Sequence, residues 1–338
     1  MSALARRAVG SGGVEVTELS FGAAGLGNLY TPITDEDAVA AVDAAWDAGL
    51  RYFDTAPHYG IGLSERRLGE ALRARPRETY ALSTKAGRLL EELAEVAEEP
   101  ACDDLDHGFA VPATHRRAWD FSADGIRRSL ESSLTRLGLD RVDIVYLHDP
   151  DDHAEQAFRE GYPALERLRS EGVVGAIGAG MNQTAMLTRF LRDTDVDAVL
   201  CAGRYTLLDQ SALAELLPAA QEHGKAVVIG GVFNSGLLAD PGPGATYDYT
   251  TAPDALVDRA RHLKAMAERH GTTLRAAALA FPPAHPAVAT VLVGARSPHE
   301  VRDAAAQFAS EVPGDFWKEA RAEGLLPTGA PVPGEDPA

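Results

Sequence analysis

Four residues in the first half of the chain have the types and order for proton transfer: Asp54, Tyr59, Lys85 and His148. Asp54 closes the apolar run Arg51-Tyr52-Phe53-Asp54, and Thr55-Ala56-Pro57 behind it cannot continue a regular ladder. The acid therefore stands at a strand exit, with Tyr59 on the following loop. Lys85 ends the run Leu82-Ser83-Thr84-Lys85, and His148 follows Val145-Tyr146-Leu147. A phenol with a pKa of about 10 is a poor acid and a poorer base at neutral pH unless a cation stabilises its phenolate. Lys85 has that charge, and a lysine ending a buried strand needs a partner such as Asp54 to remain there charged. His148 would orient or polarise a substrate oxygen from the opposite side and leave the carbon facing a hydride carrier. The competing reading, a structural ion pair beside a satisfied histidine, leaves Tyr59 and the ordered placement on successive strands unexplained.

The elements that must position these groups repeat as one unit. Leu19 to Gly22 reads as a strand, and Asp35 to Ala48 as a helix with apolar spacing at Ala38, Val39, Val42, Ala45 and Trp46, capped by Thr34 and closed by Gly49. Strands ending at Asp54, Lys85 and Leu147 follow, with helices predicted over Ser64–Arg73, Ser122–Leu137 and Ala154–Ser170. Val173–Ala179, Ala198–Cys201, Ala226–Ile229 and Thr290–Val293 complete eight strands, each with helical spacing nearby. Short β-branched strands alternating with helices predict a parallel (β/α)8 TIM barrel, because parallel strands need a covering crossover. Arg7–Val9 and Val14–Val16 around Gly10-Ser11-Gly12-Gly13 predict an N-terminal β-hairpin, and Phe316–Leu326 a C-terminal helical extension. An open doubly wound sheet is disfavoured: no strand leads into a Gly-x-Gly-x-x-Gly helix start, and no linker divides the chain, so residues 1–338 read as one domain. In a barrel, catalytic groups sit on the loops at the C-terminal strand ends, where Asp54, Lys85 and His148 fall.

Composition narrows the class. With 338 residues, 45% of them apolar, the chain can bury a full core, and a formal charge of −18 argues against nucleic-acid or anionic-membrane surfaces. The arginines near Met1 precede no apolar signal core, and no run of about 18 apolar residues occurs. Cys102 and Cys201 lack framework or Cys-x-x-Cys spacing, which suggests free thiols in a reducing cytoplasm. His153, His223, His262, His270, His285 and His299 are scattered as surface residues would be, and no ligand spacing predicts a metal.

Phe53-Asp54-Thr55-Ala56 with Tyr59, Lys85 and His148 resembles the Asp, Tyr, Lys and His tetrad of the aldo-keto reductases, and the likeness covers nearly the whole chain. It implies a barrel that binds NAD or NADP without a Rossmann motif and moves hydride between nicotinamide and a carbonyl or alcohol. Ser64–Gly69, Gly108–Arg117, Leu147–His153 and Gly203–Gln210 are similar to the aldose 1-dehydrogenase branch, whose members act on L-fucose, D-arabinose and related sugars. The implied reaction is oxidation at C1 to the lactone with Tyr59 as general acid/base. The alternatives are a reductase of small aldehydes and ketones or a pyridoxal dehydrogenase on the same site, and a non-enzymatic NADP-binding subunit, against which the intact tetrad argues. No nucleic-acid or membrane partner is expected; a homo-oligomer is compatible with the sequence.

The resemblance also distributes cofactor contacts. Gly231, Val232, Phe233, Asn234, Ser235, Gly236 and Leu237 would wrap the diphosphate with backbone donors. Gly294, Arg296 and Glu300 would meet the adenosine ribose, where Arg296 suits a 2′-phosphate and Glu300 repels one, which tilts the balance toward NAD. Three positions depart from the family pattern. Asn182 in Gly180-Met181-Asn182-Gln183 replaces the usual Ser-Asn pair on the carboxamide, the glutamine expected after strand six is absent from Ala202-Gly203-Arg204, and Ile229-Gly230-Gly231 has no ring to stack on nicotinamide. The long segment Ala86–Phe121 is where a barrel builds a specificity lid. Its Glu91–Glu99 part reads as a solvated helical face, while Phe109, His115, Arg116, Arg117, Trp119 and Phe121 combine rings and donors suited to a sugar. Trp119, Phe121 and His58 are the candidate substrate contacts.

Overall fold

The computed structural model describes residues 4–93, 103–248 and 250–335. Eight parallel strands close into a barrel: β1 (Leu19–Gly22), β2 (Tyr52–Asp54), β3 (Ala81–Ala86), β4 (Ile144–His148), β5 (Ala176–Met181), β6 (Ala198–Ala202), β7 (Ala226–Gly230) and β8 (Val288–Gly294), each paired with its sequence neighbours and β8 with β1. Around them run α1 (Asp35–Asp47), α2 (Leu63–Leu72), α3 (Ala123–Leu137), α4 (Tyr162–Ser170), α5 (Thr184–Asp193), α6 (Leu216–Glu222), α7 (Asp254–Arg269), α8 (Leu274–Ala280), α9 (Pro298–Phe308) and α10 (Gly314–Ala322). The expected barrel, N-terminal hairpin and C-terminal helix are all present, and no helix among the described residues is long and apolar enough to cross a membrane. The caps follow the sequence: Thr34 Oγ1 accepts from the Asp37 amide at α1, and Ser122 Oγ from the Gly125 amide at α3.

Strand parity decides what faces the lumen. Side chains alternate along a strand, so Tyr52 and Asp54 point inward while Phe53 joins the layer between sheet and helices. The register sets Asp54 beside Ser83, Lys85 beside Tyr146 and His148 beside Gly180. Ser83, Lys85, Tyr146 and His148 thereby share the lumen with Asp54. Below them Ile144, Leu200, Val228 and Leu292 fill the barrel, and Val9, Val14 and Val16 of the hairpin Arg6–Val9 with Val14–Thr17 plug its base. Gly12 is required there: a Cβ would stand 2.1 Å from the Gly175 carbonyl oxygen.

Three local expectations change. The helix expected over Ser64–Arg73 starts one residue earlier, at Leu63, capped by Gly62 at φ +76° after positive-φ backbone at Gly60 and Ile61. Ser64 lies buried inside the helix, donates to the Ala23 carbonyl at 2.7 Å and shares a 2.8 Å bond with Thr55. The segment after β3 is an antiparallel hairpin, Arg88–Glu92 with His115–Trp119, so Glu91 lies on a strand beside Arg116 instead of on a helical face. Residues 94–99 of that acidic run, with Cys102, lie outside the described residues. His285, expected at the surface, is buried against Tyr205, and burial pulls its pKa down to about 4.

Candidate active site

The C-terminal mouth of the barrel collects the polar groups. Lys85 Nζ donates to Asp54 Oδ2 at 2.6 Å, to the Thr55 carbonyl at 3.0 Å and to the Tyr59 phenolic oxygen at 3.1 Å. Both members of the Asp54–Lys85 pair are buried, and such a pair persists only when its remaining lone pairs and protons are satisfied. Ser83 Oγ supplies the other bond, donating to Asp54 Oδ1 at 2.6 Å. Because the Ser83 proton is spent on the carboxylate, Tyr52 must donate to Ser83 across 2.9 Å, and Tyr146 to Tyr52 across 3.2 Å. Three hydroxyl dipoles in series thus point at one carboxylate.

Each tetrad member is set by backbone. Asp54 and His148 end their strands and Lys85 is next to last on β3. Tyr59 is held by a turn in which its amide donates to the Ala56 carbonyl at 3.1 Å. Gly60 behind it has φ +60° and no room for a Cβ, which would lie 2.3 Å from the Gly27 carbonyl. Burial pulls the Lys85 ammonium down, but Asp54 and Tyr59 outweigh it and carry the net shift upward, so Lys85 remains charged. Burial raises the Tyr59 phenol above its ordinary value and Lys85 pulls it back, leaving a net rise. Burial, reinforced by Lys85 and Arg88, drives His148 well below the imidazole range, so its ring is neutral. Its Nε2 lies 3.6 Å from Asp149 Oδ2, and its buried Nδ1 has no partner among the described residues.

The hairpin forms one wall of this mouth. Arg88 donates to Asp149 Oδ2 at 2.9 Å and lies 4.8 Å over the Trp119 ring, which stacks on His153. Trp119 keeps 37% of its surface and His58 packs edge-on to His148, with ring centres 5.8 Å apart, so both border the mouth. Phe121 does not: it is fully buried in the outer core against Gly87, and a packed ring has no face left for a ligand. Sequence reading missed Arg88 and Asp149; the strand-like pairing of Arg88 with Trp119 was masked by charges on both faces of the hairpin.

On the β5 to β8 side, Asn182 is the first residue past β5, half-buried, with its side chain unpaired among the described residues. In the loop 231–237 the amides of Asn234, Gly236 and Leu237 close turns on Gly231, Phe233 and Asn234, leaving those of Val232 and Phe233 without partners among the described residues. The buried Asn234 donates to the Gly203 carbonyl at 3.1 Å while its Oδ1 has no partner among the described residues. A Cβ at Gly236 would meet nothing, and one at Gly294 only the Gly22 carbonyl at 3.9 Å, so bare backbone faces open space. Free backbone amides supply the donors and bare glycines the clearance that an extended anionic dinucleotide needs, and the residues fit such a group. Arg296 is not free: Glu300 accepts from its amide at 2.7 Å and from its guanidinium at 3.1 Å. A cavity of ≈1090 Å³ lies at the opposite end of the barrel, near Arg7, Asp143 and Arg169, and contains none of these groups; Arg169 and Lys225 there are paired with Asp195 and Asp197.

A family model described as the Aldo/keto reductase family matches residues 18–322. The chain belongs to this family. A D-threo-aldose 1-dehydrogenase from Pseudomonas sp is 46% identical to this aldo-keto reductase over 95% of the chain and 98% of its own length. A pyridoxal 4-dehydrogenase from Microbacterium luteolum is 40% identical over 96% and 99%. The holo form of an aldo-keto reductase from Bacillus halodurans superposes with a TM-score of 0.74 at 26% identity, covering 99% of this chain and 100% of that one. The protein is thus an oxidoreductase of a family that uses NAD or NADP.

The buried pair gives a stability test. Lys85→Met strands a buried carboxylate and lowers the unfolding free energy by about 3–5 kcal/mol, whereas adding Asp54→Asn restores part of the loss, both read from urea denaturation.

Proposed function

We propose that this aldo-keto reductase oxidises an aldose, such as L-fucose or D-arabinose, at C1 to the lactone. The observation that carries the reading is the 3.1 Å contact from Lys85 Nζ to the Tyr59 phenolic oxygen, backed by the buried Asp54. The named activity of the 46% identical relative supports the sugar assignment. A nicotinamide dinucleotide, when bound, supplies the hydride acceptor. Tyr59 takes the proton of the anomeric hydroxyl on its phenolate oxygen while the C1–H leaves as hydride and the C1–O bond becomes the lactone carbonyl. Lys85 stabilises the phenolate before the transfer and Asp54 keeps Lys85 in place. Neutral His148 holds the substrate oxygen against Tyr59. Asn182 would meet the carboxamide, the 231–237 loop the diphosphate, and Gly294, Arg296 and Glu300 the adenosine ribose.

Oxidation of pyridoxal is the second reading, favoured by the rings of His58 and Trp119 at the mouth and by the named activity of the 40% identical relative. We assign NAD as the preferred cofactor, because Glu300 occupies the Arg296 donors that a 2′-phosphate would need and repels that phosphate. The same reading puts the enzyme in the cytoplasm, where Cys201, with its thiol pushed up to about 12 by burial, remains an inert core residue.

Turnover of L-fucose, D-arabinose, pyridoxal and simple aldehydes with NAD+ separates the readings: pentoses and 6-deoxyhexoses react best if the proposal holds, and exclusive turnover of pyridoxal or aldehydes overturns it. Tyr59→Phe lowers kcat by about 100- to 10,000-fold with little change in KM. Since the deprotonated phenol is the active form and its pKa is raised, oxidation speeds up with pH through the neutral range toward Tyr59 ionisation, and neutral His58 and His148 add no limb between about pH 5 and 8. Glu300→Gln frees Arg296 and raises the NADP-to-NAD ratio of kcat/KM by about tenfold.

A further inference from the structure

The hairpin over the mouth brings a second buried ion pair to the site. Arg117 and Asp104 expose 2% and 6% of their side chains. Arg117 Nη1 donates to Asp104 Oδ1 at 2.7 Å and Nη2 to Oδ2, leaving Nε and the rest of Nη2 for one residue, His58. Nε donates to His58 Nδ1 at 2.6 Å and Nη2 to the His58 carbonyl at 3.2 Å. A guanidinium has donors only and does not lose its proton in a protein, so His58 Nδ1 must be the acceptor and the ring proton must sit on Nε2. A second ring proton would set N–H against N–H. Burial, with Arg88, Arg117 and Lys85 nearby, holds this imidazole far below its ordinary range.

The ring packs beside the chemistry. His58 packs 6.1 Å from the Tyr59 ring, 5.8 Å from His148 and 5.2 Å from Phe109, centre to centre. Its Nε2 has no partner among the described residues and is not sealed from solvent. A ring N–H donor held in place by Arg117 therefore borders the mouth where an oxygen held by Tyr59 and His148 would sit.

We propose that His58 is a specificity residue whose Nε2–H donates to the oxygen on the carbon next to the reacting one, the C2 hydroxyl of an aldose. Arg117 and Asp104 are positioning residues that fix its tautomer and aim. This rests on the aldose reading above and names what in the sugar the site recognises. A substrate lacking that hydroxyl leaves the donor without an acceptor in a desolvated mouth, and discrimination against it follows from the unmade bond.

The test compares kcat/KM for the best-turned-over pentose and its 2-deoxy counterpart with NAD+. The wild type prefers the hydroxylated sugar by about 10- to 100-fold. In His58→Phe and in Arg117→Gln that preference shrinks at least about fivefold, mostly through KM on the parent sugar, while the 2-deoxy rate changes little. Because Arg117→Gln disturbs a buried pair and can fail to fold, 15N shifts of His58 are also measured in the wild type. They show an unprotonated Nδ1 and a protonated Nε2 throughout pH 5 to 8. An Nδ1–H tautomer or an imidazolium in that range overturns the inference, as does an unchanged 2-deoxy discrimination in His58→Phe. If no aldose is oxidised at all, the aldose reading fails and takes the C2 assignment with it, whatever the tautomer.

Discussion

The buried pair of Asp54 and Lys85 is the constraint around which the rest of the mouth is arranged. Two opposite charges taken out of water cost several kcal/mol each, and their attraction offsets that cost only if every other donor and acceptor is satisfied. The barrel meets the condition from both directions. From below, Tyr146, Tyr52 and Ser83 line up as donors toward the carboxylate. From above, the Thr55 carbonyl and the Tyr59 oxygen take the remaining protons of the ammonium. The phenol is thus one of the few acceptors available to a cation that cannot reach water. In the proposed reaction this offsets part of the cost that burial places on ionising Tyr59.

Positive charge around the mouth has a second effect. Lys85, Arg88 and Arg117 each contribute to keeping His58 and His148 neutral, so two imidazoles at the site serve as oriented dipoles and not as titrating acids. Each arginine is matched by a carboxylate, Asp149 or Asp104, which lets the hairpin close over the site without an unpaired buried charge. On the cofactor side the logic is different: bare glycine backbone and unengaged amides leave room for a ligand, and the Arg296–Glu300 pair brings charge.

Period-two and helical spacing made the barrel legible before any coordinates, because β-branched runs ending in polar residues recur with covering helices. The tetrad was legible for the same reason: strand ends fix where Asp54, Lys85 and His148 stand. The failures have physical causes. The strand Arg88–Glu92 reads Arg-Leu-Leu-Glu-Glu and its partner His115–Trp119 His-Arg-Arg-Ala-Trp, with residues of one kind side by side and so on opposite faces, which leaves no period-two alternation to mark it. Phe121 reads as a ligand-binding ring by type, yet the small residues Gly87 and Gly161 leave it a hole in the core. The lumen chain from Tyr146 to Asp54 depends on register between three strands, which no single strand encodes. The latch of Arg117 on His58 joins residues 59 apart in the chain through a hairpin whose pairing was itself hidden.

The central claim is that Lys85, anchored by Asp54, sets the ionisation of Tyr59. The most direct measurement is the tyrosinate absorbance titration of Tyr59, isolated by difference against Tyr59→Phe, in the wild type and in Lys85→Met. The account predicts that removing the ammonium moves the Tyr59 titration upward by at least about one pH unit and moves the alkaline limb of kcat/KM with it. A Tyr59 titration that stays in place when Lys85 is lost would contradict it.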